Sequence, residues 1–184
     1  LRPSQGDEIV SIAGVRIVNR RILSGESFTR LVNPKRPIPK LATHIHGITN
    51  TQVQDSSPIQ VVLPQFKAFT GNAVLVAHNA AFDMKFIQLK ETEAGIEFDN
   101  PVLDVLLLSV YIHDHSKDHT LDTIAERLGV ELSDRHSALG DALITAQIFL
   151  GLMDLLEEAG IRTLGQALET SEKMVEVRKQ QEVF

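Results

Sequence analysis

Residues 76–86 read VAHNAAFDMKF, and this stretch settles the fold class. The apolar run that leads into it, residues 73–77 (AVLVA), lies between Gly71-Asn72 and His78-Asn79. Its shortness and its two valines mark a buried strand. A helix is expected from Ala80 to about Glu93, with Phe82, Phe86 and Leu89 on one apolar face. Asp83 then falls in the first helical turn, where the helix dipole favours an ionised carboxylate. Polar groups gathered where a strand ends and a helix begins are where α/β sheets hold ligands. One residue off the Phe82/Phe86 stripe, Asp83 is expected to border the core. An acid that only complements the dipole would sit in the same place.

On the N-terminal side, residues 8–18 (EIVSIAGVRIV) are β-rich and partly alternating. Asn19-Arg20 breaks the pattern and residues 21–32 resume it, which predicts a hairpin. Residues 33–40 (NPKRPIPK) hold three prolines and must be an extended loop. Residues 58–69 suit an amphipathic helix through Val61, Val62, Phe66 and Phe69. On the C-terminal side, residues 102–108 begin as a strand and continue into a helix, and residues 121–128 form a short helix ended by Gly129. Residues 137–158 give the clearest helix, with Leu139, Ala142, Leu143, Ala146, Phe149, Leu150 and Met153 as its buried stripe. The order of elements predicts an α/β domain over residues 1–160, a mixed sheet flanked by helices. Residues 161–184 read either as a solvated terminal helix or as a linker.

Composition narrows the function. The chain has 184 residues, 43% of them hydrophobic, enough for one domain with a real core. It shows no unbroken apolar run of about 18 residues and no signal-peptide h-region, so no membrane association is expected. Zero cysteines exclude disulfides and thiolate zinc sites and fit a cytoplasmic location. With 18 Lys plus Arg against 24 Asp plus Glu, the formal charge is −6. That balance disfavours a protein that tracks duplex phosphates with a basic stripe. It leaves open a nuclease in which divalent cations, held by carboxylates, meet the phosphate.

A second polar cluster stands in residues 134–143, DRHSALGDAL. Ser137 is a plausible N-cap, which leaves His136 in the preceding loop and Asp141 in the first helical turn. A histidine beside a fixed carboxylate can serve as a base next to a metal ligand. Oxygen donors with one imidazole suit Mg²⁺ or Mn²⁺ better than zinc. Two-metal phosphoryl chemistry holds its ions about 4 Å apart and needs more than two acids. A third cluster, His113-Asp114-His115 with Asp118 and His119, lies among Ser116 and Lys117 and reads as a surface loop.

Taken in order, these segments resemble one family. HNAAFD (78–83) and RHSALGDA (135–142) are similar to the second and third motifs of the DnaQ-like, or DEDDh, 3′–5′ exonucleases. Residues 33–49, NPKRPIPKLATHIHGIT, resemble the segment that precedes them in the proofreading exonucleases of bacterial DNA polymerase III. The likeness spans about residues 7–157. It implies a ribonuclease H-like fold and hydrolysis of nucleotides from the 3′ end of single-stranded DNA or RNA, with two divalent cations, Mg²⁺ or Mn²⁺, as cofactors. A DNA polymerase is the implied protein partner. By position, Asp83 and Asp141 would be metal ligands and His136 the general base. His46, Gly47 and Ile48 would lie against the terminal nucleotide, with Asn79 and Phe82 nearby. Asp104 also matches a family position and reads as a supporting or structural residue.

The family opens with a strand ending in D-x-E-T-T-G, and LRPSQGDEIVSIAGV (1–15) reads as the text that follows it. Asp7-Glu8 cannot replace that motif, because adjacent strand residues point to opposite faces. The sequence is therefore expected to lack the first strand with its two metal carboxylates, and to be inactive by itself. Two other readings stay open: a non-catalytic interaction module on the exonuclease fold, and an oligoribonuclease-like enzyme acting on RNA.

Overall fold

The structure, a computed structural model, describes residues 6–181, with side chains described to residue 177. The opening residues 1–5 and the last three residues of the expected tail lie outside the described residues. The chain divides into two compact units. The first comprises Leu1–Ala73, Phe82–Asn100 and Ser133–Leu143; the second comprises Val74–Ala81, Pro101–Leu132 and Ile144–Phe184.

In the first unit, β1 (Ser11–Val18) and β2 (Arg21–Leu31) pair antiparallel, from Ser11 opposite Leu31 to Val18 opposite Arg21. Asn19 (φ 50°) and Arg20 (φ 61°) both take left-handed backbone, the geometry that a two-residue hairpin turn requires. The ladder shifts between Val15 and Arg16, where residues 24–26 bulge out of β2. Gly14 has a spatial reason: a Cβ there would stand 3.2 Å from the Phe69 ring and 3.3 Å from that of Phe66. Those rings come from α3 (Ile59–Thr70), which holds Pro64 within it and buries Val62, Leu63 and Phe66. With Ile12, Phe28, Val32 and Ile59 they form one core cluster, and Ile87 of α4 (Ala80–Ala94) packs against it.

Two short helices were not expected. Residues 33–39 do form a loop, but α1 (Lys40–His46) starts directly after Pro39, and α2 (Asn50–Val53) follows. Helices of seven and four residues are too brief to show a 3.6-residue period. Their ends were nonetheless written in the sequence. Gly47 (φ 73°) ends α1, and Thr49 with Gln52 forms a capping box at the start of α2.

The second unit holds β3 (Leu75–Ala77) and β4 (Val102–Asp104), paired parallel with Leu75 opposite Val102 and Ala77 opposite Asp104. α5 (Val105–Ile112) continues from β4 without a break, as the sequence predicts, and α6 (Leu121–Arg127) ends before Gly129 at φ 65°. α7 (Ala138–Glu158) and α8 (Leu164–Gln181) complete the elements. Val105, Leu108, Ile124, Ile144, Ile148 and Leu152 are fully buried in this unit's core.

Two expectations are corrected. The deepest row on α7 is Ile144, Ile148, Leu152 and Leu156, whereas Leu139, Ala142, Leu143, Phe149, Leu150 and Met153 are only partly buried. The helix is apolar on most of its circumference, so the pattern of letters did not single out the inward face. Leu89, expected on the buried face of α4, is 49% exposed, and Ile87 takes that role. α7 is also long and apolar enough, by length and composition alone, to cross a membrane. It still holds no unbroken apolar run of that length, because Gly140, Asp141, Thr145, Gln147, Gly151 and Asp154 interrupt it. Its Ile144–Leu156 row, however, lies in the core. The expected tail is helical as α8, and its Ala167 and Leu168 join that same core.

Candidate active site

The start of α4 is organised by a buried acid. Asp104, 8% exposed at the end of β4, accepts hydrogen bonds from three backbone N–H groups. Its Oδ1 takes those of Asn79 and Leu106, both at 2.9 Å, and its Oδ2 takes that of Ala80 at 2.9 Å. One carboxylate thus satisfies the orphan donors at the starts of both α4 and α5, where the helix dipoles also favour its charge. Asn79 takes φ 57° to present its N–H, and the neighbouring His78 donates from Nε2 to the carbonyl of His119 at 2.8 Å. The reading of Asp104 as a supporting residue agrees with this geometry.

Asp83 lies three residues past Ala80, in the first turn of α4. It is exposed. The expectation that it borders the core is corrected. Phe82 and Phe86, in edge contact with ring centroids 5.2 Å apart, are half-buried and buried; Asp83 shares a face with Ile87 one turn on, but at the start of the helix it is exposed.

The turn before α7 is held by its own residues. Ser137 caps the helix as expected: its Oγ accepts from Gly140 N–H at 3.0 Å and donates to the Asp134 carbonyl at 2.8 Å. Asp134 (φ 52°) and His136 (φ 69°) both occupy left-handed backbone. Asp141 anchors the turn from within the helix. Its Oδ1 accepts from the His136 N–H at 3.2 Å and from Arg135 Nη1 at 2.6 Å. The Asp141 side chain is 36% exposed and the Arg135 side chain 25%, so the pair is half-withdrawn from water. Sequence reading missed Arg135. An arginine six residues from its acid has no helical spacing to announce it. The His136 imidazole is exposed.

His46, Gly47 and Ile48 form a third tight turn at the end of α1. The Ile48 N–H donates to His46 Nδ1 at 3.0 Å, and Thr43 Oγ1 donates to the Ile48 carbonyl at 3.0 Å. Burial lowers the His46 pKa from its ordinary 6.5, which keeps the ring neutral and Nδ1 an acceptor. Ile48 packs against Ile38, Ala42 and Val53.

Asp83, His136, Asp141 and the His46 turn all belong to the first unit, whereas Asn79 belongs to the second. Among the described residues, no group of three or more His, Asp or Glu side chains is placed to hold a metal ion. Asp83 and Asp141 offer the hard oxygen donors that Mg²⁺ or Mn²⁺ prefers, so the residues fit such an ion in kind and supply part of a ligand set. The third cluster serves the local structure. His119 Nδ1 is 3.0 Å from buried Ser109 Oγ, and Asp118 accepts from Thr120 N–H and Thr123 Oγ1 at the start of α6.

With this geometry established, comparison with known proteins assigns the class. The model of the exonuclease family RNase_T matches residues 1–149, and the chain belongs to that family. A DNA polymerase III subunit epsilon-like protein of Rhodobacter capsulatus is 48% identical over 181 residues, 97% of this chain and 25% of that protein. A PolC-type DNA polymerase III of Caldanaerobacter subterraneus subsp. tengcongensis is 40% identical over 174 residues, 94% of this chain and 12% of that protein. The chain thus spans a quarter or less of the length of these relatives. Among solved structures, Exonuclease X in complex with 5′ overhanging duplex DNA aligns with a TM-score of 0.72 at 26% identity. The alignment covers 89% of this chain and 90% of that one. The fold is therefore the ribonuclease H-like α/β fold of the exonucleases.

Proposed function

We propose that this chain is the catalytic part of a metal-dependent 3′–5′ exonuclease, with residues 1–160 as its exonuclease domain and 161–184 as a C-terminal tail or linker. The substrate is the 3′ end of single-stranded DNA, and a polymerase partner and cytoplasmic location follow from the likeness to polymerase III proteins. The observation that carries the reading is the turn before α7. There the His136 N–H is tied to Asp141 Oδ1, so a base and an acid of the family motif are fixed side by side.

In this reading Asp83 and Asp141 each supply a carboxylate to the ions. Such ions, when bound, activate a water and neutralise charge on the leaving 3′ oxygen. His136 takes the proton of the attacking water at a ring nitrogen, and its main chain is held by Asp141 while the imidazole stays in reach of solvent. Arg135 orients the Asp141 carboxylate. The His46-Gly47-Ile48 turn, with Phe82, receives the terminal nucleotide.

The test uses 3′-labelled single-stranded DNA and a matched RNA with Mg²⁺ or Mn²⁺. The full-length protein should shorten DNA from the 3′ end. His136→Ala should lower the rate about 10²–10⁴-fold, the usual contribution of a general base, and Asp141→Ala at least as much. Full activity in both variants overturns the proposal, and faster cleavage of RNA moves it to the oligoribonuclease-like reading.

A further inference from the structure

Gly140 sits in the first turn of α7 and is buried, and its backbone is helical. Left-handed freedom is therefore not why a glycine stands there, and glycine is among the poorest residues for a helix interior. The reason is space. A Cβ at this position would lie 2.1 Å from the Asp134 carbonyl oxygen, 2.7 Å from its carbon and 2.7 Å from Ser137 Oγ. No Cβ tolerates such distances, and two of the three atoms belong to the main chain, which cannot swing aside as a flexible side chain can.

The crowded carbonyl is the anchor of the turn that carries His136. It accepts from the Ser137 N–H at 3.2 Å and from Ser137 Oγ at 2.8 Å, while Ser137 Oγ also accepts from the Gly140 N–H at 3.0 Å. His136 lies between the two ends of that loop, at φ 69°, with Asp134 at φ 52°. Any atom added at residue 140 lifts the Asp134 carbonyl, and with it the backbone on which His136 is mounted.

We propose that Gly140 is a positioning residue for the exonuclease reaction. By lacking a side chain, it lets the Asp134 carbonyl close onto α7 and so sets where the His136 imidazole stands beside Asp141. This rests on the reading of His136 as the general base.

The experiment is a mutant cycle in the full-length protein, comparing wild type, Gly140→Ala, His136→Ala and the double variant on single-stranded DNA. Gly140→Ala should lose about 10²-fold in kcat, the scale of an ångström-sized misplacement, with KM nearly unchanged. The double variant should be no slower than His136→Ala. In metal-free buffer, the His136 ring resonances should shift in Gly140→Ala while the other histidines keep theirs. Wild-type kcat with unmoved His136 resonances, or losses that multiply in the double variant, overturns the inference. If Gly140→Ala does not fold, Ser137→Ala replaces it. That variant removes the hydroxyl bridge without adding an atom and should lower kcat about tenfold at constant KM; unchanged kcat overturns the inference. An inactive His136→Ala beside a fully active Gly140→Ala removes this inference alone. A fully active His136→Ala removes the proposed function and this inference together.

Discussion

The two helix starts that carry the candidate acids are built in different ways. The turn before α4 depends on a residue from elsewhere: Asp104, more than twenty positions later, supplies the acceptors that Asn79 and Ala80 need. The turn before α7 is closed by bonds among residues 134–141. Its serine, its glycine and its own acid close it, with two left-handed residues as the cost. The first is therefore as stable as the packing of β3 against β4. The second is stable on its own terms and more easily disturbed by a single added atom.

Removing Asp104 should break the first turn and leave the second intact. Asp104→Ala strands three backbone donors at buried helix starts and should cost about 3 kcal/mol, read as a lower urea midpoint. His136 resonances should stay in place, and their movement would show that the two turns are not independent. Ser137→Ala is the converse, the loss of one N-cap. It should cost about 1 kcal/mol and loosen amide protection only at the start of α7.

A smaller effect is expected further along α4. Lys90 bonds Glu8 at 2.7 Å with side chains 18% and 24% exposed. Desolvation opposes its charge, but the hydrogen bond and field of Glu8 outweigh it, with help from Glu93, and the net pKa is raised above 10.5. Lys90→Met should therefore cost about 1 kcal/mol or less near neutral pH. That stability is present below pH 10.5 and lost as pH rises through the raised value.

The smallest effect belongs to the His46 turn. Its folded pKa lies below 6.5, so the unfolded chain binds more protons in the interval between the two values. Stability should be full above about pH 6.5 and should fall as pH drops toward the lowered value. His46→Gln, which cannot take up that proton, should flatten this part of the urea-midpoint profile. An unchanged profile would place the acid sensitivity elsewhere.

Much of the fold could be read before any coordinates. Asn19-Arg20 marked the hairpin, the passage from Val102 into Leu108 marked a strand becoming a helix, and Ser137 marked the start of α7. What stayed hidden depended on distance or on direction. The helix-capping work of Asp104 requires a partner across a parallel pair, which local pattern cannot express. On α4, local pattern did not show that Asp83 and Leu89 are exposed and that Ile87 joins the first unit's core. Gly140 stands within a motif, yet the reason for it is a carbonyl folded over it.

The hairpin offers a practical opening. Arg16 reaches across the bulge to Glu26 at 3.0 Å and donates to the Phe69 carbonyl at 2.7 Å, while Gly14 rests against the aromatic rings of α3. Register is thus pinned well before the tip, and residues 18–21 are exposed. A fluorophore or affinity tag spliced between Asn19 and Arg20 should be carried without shifting that register.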